Sequence, residues 1–315
     1  MEDAIVVGGG QARRAAASWL ARYRRKVVVI DSGEHRNRWT RAAHGYLGLD
    51  PISPEELLER GRRELLAYPT ASWRAGKATA ARRLDEGFAV EVDGEPVLAH
   101  RLVLATGVRD RFPDVEGFLD HYGTSVFHCP ACDGYEARDR DVVALGWAPH
   151  VAGFALELLD WARSVTVVTG HTRFQGDERH RDALGRNGIR LIEDRAAALT
   201  GAPGRLEGVR LRGGETVPAQ LLFFSIGHEP ASPLAERLGC RMVEGGECVW
   251  VDENGQTSVP GVFAAGDMTP GTQLVQIAAA KGVTAGVACA MSLRGEMTFT
   301  ESPVPAPDVA AELGE

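Results

Sequence analysis

The sequence predicts an α/β protein built from two Rossmann-like, three-layer nucleotide-binding domains. Three observations carry that expectation. A short β-branched run, Ala4–Val7, enters Gly8-Gly9-Gly10, an Ala-rich helical stretch and a second strand ending at Asp31. A second strand–turn–helix–strand unit runs from Asp141 to Val168, and Gly146 precedes Thr169 by the same 23 positions that separate Gly8 from Asp31. Between the two units stands Cys129-Pro130-Ala131-Cys132-Asp133-Gly134.

Composition agrees with two ordinary domains. The 315 residues are 44% hydrophobic and 25% charged, enough to bury sizeable cores. The net charge of −8 gives no electrostatic footing for nucleic acid. No stretch approaches the roughly 20 apolar residues of a membrane span, and the first strand starts too early to leave room for a signal peptide. Five cysteines, Cys129, Cys132, Cys240, Cys248 and Cys289, are a poor disulfide framework. A cytoplasmic location is the expectation, with Cys240, Cys248 and Cys289 as packing residues.

The elements follow in order. Gln11 to Arg22 favours helix. Pro54 followed by Glu55-Glu56 reads as a helix N-terminus. Phe88–Val92 alternates as a strand, and Arg101–Ala105 is another that closes in Thr106-Gly107. Asp141–Leu145 is a strand, Val151–Arg163 a helix and Val165–Val168 a strand. Later strands are expected at Gly208–Leu211, Leu221–Ser225 and Val262–Ala264. A short helix is expected near Pro233–Leu238, and a small-residue helix from Gln273 to Leu293. The Pro- and Ala-rich tail after Gly295 reads as a loose end.

The first turn carries the strongest cofactor signal. Gly8 allows a tight turn, Gly10 lets a pyrophosphate approach the backbone, and the following helix aims free N–H groups at the anion. Asp31 ends the second strand, where an acid accepts ribose hydroxyls. The third fingerprint position is Arg13 instead of Gly or Ala. Cys129 and Cys132 can close into one small ring that stores two electrons. CxxC is also half of a zinc site and His128 adjoins it, but the chain has no second CxxC and no HxxxH pair. His128 is open to two readings, a base near the disulfide or, favoured here, a structural strand-end residue.

Gly8-Gly-Gly-Gln-Ala, Ala105-Thr-Gly107, Cys129-Pro-Ala-Cys-Asp-Gly and Val262-Phe-Ala-Ala-Gly-Asp267 stand in the order found in the low-molecular-weight thioredoxin reductases. The chain resembles that family over about residues 3–294. The resemblance implies an FAD domain split in sequence around a pyridine-nucleotide domain: residues 1–114, then 115–245 carrying the CxxC, then 246–296, with 297–315 as tail. It implies FAD contacts from Gly8, Gly10, Gln11, Ala12, Asp31, Thr106, Gly107, Gly266 and Asp267. Gln276-Ile277 matches the family's Gln-Ala at the final helix more loosely, one residue further along, with Val275 where Arg is common. Cys132 is implied to be the sulfur nearer the flavin, Cys129 the interchange thiol and Asp133 the general acid–base. Hinges are expected near Pro113–Gly117 and at Gly245-Gly246, and a homodimer is expected.

The second turn departs from the family. Gly146-Trp147-Ala148-Pro149-His150-Val151 keeps only the first glycine of Gly-x-Gly-x-x-Ala. Thr169-Gly170-His171-Thr172-Arg173 lacks the arginine cluster that would hold a 2′-phosphate. Whether NADPH or NADH binds is therefore left open. Three functions follow. One is a reductase of thioredoxin or a similar small protein. Another is a dithiol oxidase, or a relative fed by a ferredoxin-type donor; His44-Gly45-Tyr46-Leu47 resembles the oxidase subgroup, whereas Asp133-Gly134 leans towards the reductases. The third is a flavin-bound redox sensor, for which no partner motif speaks.

Overall fold

The computed structural model describes residues 1–170 and 173–294; the expected tail 297–315 and two residues of the 169–173 segment lie outside them. The first domain is built on a seven-stranded sheet. Its parallel part runs Ala71–Ala75, Val27–Asp31, Glu2–Gly8 and Glu95–Ala105, and the antiparallel strands Gly87–Val92 and Ala78–Leu84 extend the far side. Val262–Ala264, from the other end of the chain, pairs in parallel with Glu95–Ala105. The FAD-type domain is thus split around the second.

The helix Gln11–Arg22 covers one face of this sheet beside the helix Val275–Ser292. Two glycines make that contact possible: a Cβ on Gly282 would stand 2.1 Å from the Ala12 carbonyl oxygen, and one on Gly286 2.5 Å from that of Ala16. Ala and Gly therefore meet backbone to backbone and bring the first glycine turn close to the C-terminal segment. Val275–Ser292 is the one helix among the described residues long and apolar enough to cross a membrane by length and composition; its glycine face is spent on this packing.

The second domain holds a five-stranded parallel sheet in the order Arg190–Ile192, Ser164–Val168, Asp141–Leu145, Leu221–Phe224, Val126–Phe127. The three central strands are mostly apolar because both faces are covered. A three-stranded antiparallel sheet, Ala196–Ala202, Arg205–Leu211 and Thr216–Pro218, packs on one of them.

Several boundaries differ from expectation for physical reasons. The helix from Val151 ends at Leu158, and the turn after it places the Trp161 ring where a Cβ on Gly134 would stand, 2.6 Å away. The final helix begins at Val275, with Leu274 extended as its cap, so Gln273 lies outside it. The second hinge is not at Gly245-Gly246. Leu234, Ala235, Cys240 and Val249 already pack into the first domain with Ile5 and Val7. The return crossing is the strand His228–Pro230, paired antiparallel with Val108–Asp110. The glycine pair only turns a loop, at φ 91° and 73°.

Candidate active site

Cys129 and Cys132 form a disulfide with an S–S distance of 2.04 Å. The parallel strand Val126–Phe127 delivers His128 and Cys129 to the sheet edge, and Pro130 opens a one-turn helix, Pro130–Asp133. Cys129 caps that turn: its Sγ accepts the Cys132 N–H at 3.2 Å, and its carbonyl accepts those of Cys132 and Asp133 at 3.1 Å. A backbone donor on sulfur favours thiolate once the disulfide opens. Burial, then the neighbouring Glu136, pushes the Asp133 carboxyl up to about 7, with His44 pulling the other way. That value lets it hold or release a proton near neutrality.

A polar chain links Cys129's neighbour to the first domain. The Tyr122 hydroxyl meets His128 Nδ1 at 3.0 Å, and His128 Nε2 lies 3.8 Å from Asp110 Oδ2. Asp110 accepts two guanidinium bonds from Arg36, at 2.5 and 2.9 Å. Arg36 also donates to Asp267 at 3.0 Å and to the Gln273 amide oxygen at 2.7 Å. Burial lowers His128 to about 4 against the pull of Asp110, so the ring is neutral at pH 7. A cleft of about 350 Å³ opens beside Cys129, walled by Arg36, His128, His228, Gln273 and Leu274 among others.

The glycine cluster stands at the other end of this chain. A Cβ on Gly8 would lie 1.9 Å from the Ala105 carbonyl oxygen, which leads into Thr106 and Gly107. A Cβ on Gly266 would lie 2.8 Å from that of Ala12, and Thr106 Oγ1 meets Met268 Sδ at 3.4 Å. Gly8, Gly10, Gln11, Ala12, Thr106, Gly107, Gly266 and Asp267 are therefore brought together. Among the described residues nothing lies within 4 Å of where a Gly10 Cβ would be, and the Gln11 side-chain Nε2 is buried without a hydrogen-bond partner. Open space and an orphaned donor at a helix start suit a pyrophosphate-linked flavin dinucleotide.

Three placements differ from expectation. Asp31 is not a free acceptor: Arg13 engages both its oxygens, because the side chain at the third fingerprint position folds back under the turn. Gln276 donates to the Gly45 carbonyl, and Ile277 is 38% exposed. Gln273 and Leu274, before the helix, border the cleft instead. Cys240 and Cys289 are buried and Cys248 half-buried, all three free. Arg36, Asp110, Tyr122 and His228 were missed from sequence; none sits in a spaced motif, and contacts across the chain alone reveal them.

The pyridine nucleotide-disulphide oxidoreductase family matches residues 2–282, and the chain belongs to it. Thioredoxin reductase sirT of Leptosphaeria maculans is 30% identical over 311 residues, covering 90% of this chain and 92% of that protein. A thioredoxin reductase of Gibberella zeae is 29% identical, covering 93% and 98%. The crystal structure of an oxidoreductase from Agrobacterium tumefaciens superposes with a TM-score of 0.85 at 33% identity, over 93% of this chain and 98% of that one. Within the family this chain is a thioredoxin reductase-like, FAD-dependent disulfide oxidoreductase.

Proposed function

We propose that the chain moves two electrons between FAD and Cys129–Cys132 and exchanges them with an external dithiol or disulfide, without NAD(P)H as the working reductant. The observation that carries the last clause is the filled turn at Gly146. The Trp147 ring stands 3.4 Å from where a Gly170 Cβ would be, across the end of the neighbouring strand. Gln175 N–H donates to the Trp147 carbonyl at 2.8 Å, and His150 Nε2 meets Ser225 Oγ at 2.9 Å. Pro149 offers no N–H. The chain's own groups occupy the corner where a second dinucleotide would lay its phosphates and ribose.

Bound FAD supplies the two-electron acceptor or donor. The protein does the rest. Cys129, beside the cleft, meets the external sulfur. Cys132, disulfide-bonded to Cys129, is the electron-transferring sulfur. Asp133 takes and returns the thiol proton. Gly8, Gly10, Gln11 and Gly266 would hold the cofactor's phosphates by backbone and amide donors, and Asp267, fixed by Arg36 at 3.0 Å, would accept from its sugar chain.

Anaerobic titration tests this reading. The yellow protein is mixed with NADPH, NADH or dithiothreitol while the visible flavin band is followed. Bleaching by the dithiol alone is expected. Rapid stoichiometric bleaching by NADPH would restore the second reading, an NADPH-dependent reductase of thioredoxin, which the names of the relatives favour.

We also infer a homodimer through Val275–Ser292. Ile277, Ala280, Thr284 and Met291 are exposed on one uncharged stripe of that helix, at the three- and four-residue steps of a helix–helix seam.

A further inference from the structure

Two consecutive arginines follow the first glycine turn, and both reach back beneath it. Arg13 donates to the Gly8 carbonyl and to that of Gly9, the latter at 3.4 Å. Arg14 Nη1 donates to the carbonyls of Gly9 at 3.1 Å and Gly10 at 3.2 Å, and its Nε to the Leu58 carbonyl at 2.8 Å. Three successive carbonyls are thus drawn to one side of the turn. Across each planar trans peptide the N–H points the opposite way, so those of Gly9, Gly10 and Gln11 are turned to the other side together. Among the described residues none of these three N–H groups has an acceptor. The Arg14 stem crosses the helix Pro54–Leu66 at Gly61, where a Cβ would stand 3.1 Å from Arg14 Cδ. A glycine inside a helix costs about 1 kcal/mol against alanine; here it gives the guanidinium its passage.

The pair carries more charge than its neighbours neutralise. Arg13 Nη1 lies 2.7 Å from Asp31 Oδ1, and Arg14 Nη2 lies 3.8 Å from Asp31 Oδ2. One carboxylate is therefore shared by two guanidiniums whose side chains are 0% and 7% exposed. Glu59 and Arg62, from the facing helix, pair with each other at 3.9 Å and add no net charge. Trp73 lies against Arg13, Arg14 and Arg62, 4.5 to 5.2 Å from its ring centre, and adds none either. Burial, then the charge of Arg13, pushes Arg14 down to about 9 against the pull of Asp31 and Glu59, which leaves it charged at pH 7. Two buried cations on one carboxylate are costly unless a second anion joins them.

We propose that Arg13 and Arg14 together form the electrostatic seat of the FAD pyrophosphate. Their guanidiniums hold three carbonyls down, so that three N–H groups are presented to the anion before it arrives. Arg13 is spent on Asp31, and Arg14 carries the positive charge that the pyrophosphate balances. Arg14 is thus a positioning residue for the cofactor, acting through the backbone of the turn. The proposal rests on FAD as the cofactor and stands whether the electron partner is a dithiol or NADPH.

The test follows FAD release from the diluted holoprotein by flavin fluorescence, with inorganic pyrophosphate as the probe and sodium chloride of equal ionic strength beside it. Pyrophosphate should displace FAD from the wild type at concentrations where the chloride does not. Arg14→Gln should raise the FAD dissociation constant by on the order of tenfold, and pyrophosphate should lose its advantage over chloride. Arg14→Lys keeps the charge but cannot reach three carbonyls at once, so it should fall between. Gly61→Ala alters no charge; by crowding Arg14 Cδ it should weaken FAD in the same sense and by less. These two variants decide the matter if Arg14→Gln does not fold. FAD held as tightly in the variants as in the wild type overturns the proposal. So does weaker FAD with the pyrophosphate advantage intact, because Arg14 would then support the fold and not the anion. A wild type that pyrophosphate and chloride release alike overturns it as well.

Discussion

Arg13 Nη2 donates to Asp31 Oδ2 at 2.9 Å, and Arg13 Nη1 forms an ion pair with Asp31 Oδ1 at 2.7 Å. Arg13 is fully buried, also donates to the Gly8 carbonyl, and lies 4.5 Å from the centre of the Trp73 ring. The fingerprint position that usually stays small is filled by a cation that finds its counter-ion at the end of the next strand. Breaking such a buried pair from one side costs about 3 kcal/mol.

Arg13→Ala should therefore lower stability by about that amount, and should weaken FAD retention because Asp31 loses its orientation. Arg13 holds the Asp31 carboxyl below its ordinary range, its hydrogen bond and charge outweighing the burial that would raise it. A depressed carboxylate contributes stability above its unfolded pKa and loses it as pH falls through the folded one. The deficit of Arg13→Ala should thus be full at neutral pH and shrink in acid. Urea unfolding of wild type, both single variants and Arg13→Ala/Asp31→Ala would check this. The double variant should lose less than the sum of the singles.

Cys132→Ser and Cys129→Ser should each abolish dithiol turnover while the protein stays yellow. The ring that stores the electrons needs both sulfurs, whereas the glycine turns that hold FAD contain neither. A flavin spectrum beside a turnover assay decides it; persistent turnover in Cys132→Ser would remove the redox pair from the mechanism.

Asp133→Asn should slow dithiol bleaching by roughly 10²- to 10³-fold and erase the inflection near the acid's value of about 7. The stability effect has the opposite sign to that at Asp31. A carboxyl raised by burial stabilises the fold at low pH, and that contribution is lost as pH rises through about 7. The variant should therefore melt higher than wild type in mildly alkaline buffer and gain nothing in acid. Melting curves on both sides of neutrality would show this crossing.

Local pattern made both dinucleotide units legible, because Gly8-Gly9-Gly10 and the strands around it follow backbone rules that hold within a few residues. The disulfide was legible for the same reason. Arg36 was not: its partners Asp110, Asp267 and Gln273 are 74 to 237 positions away. The pairing of Asp31 with Arg13 was missed because a lone acid at a strand end looks free until the buried guanidinium beneath it is seen. Gly245-Gly246 was misread as a hinge because a flexible pair signals a turn, not which core its flanks join.

Gly146 is retained by packing, whatever binds above it. A Cβ there would lie 2.6 Å from Val151 Cγ2 and 2.8 Å from the Ser225 carbonyl oxygen. Gly146→Ala should cost about 1–3 kcal/mol through overpacking, read in urea unfolding, with dithiol bleaching of the folded protein unchanged. Loss of NADPH reactivity in that variant, where the wild type shows some, would instead return the turn to a nucleotide-binding role.

The homodimer seam proposed on Val275–Ser292 gives the final test. Met291 is 49% exposed near the end of that helix, Thr284 is exposed on the same face, and the Thr284 hydroxyl donates to the Ala280 carbonyl at 3.2 Å. Two copies meeting along this stripe would bury uncharged side chains on both sides, and charges of one sign placed there would face each other across the two-fold axis. Met291→Glu with Thr284→Glu should convert a species of two chains into one of a single chain in light scattering. The opposite helix face, where Gly282 and Gly286 touch Ala12 and Ala16, is left untouched, so the flavin band should survive. A wild type that already scatters as one chain, or a variant that still scatters as two, would move the interface elsewhere.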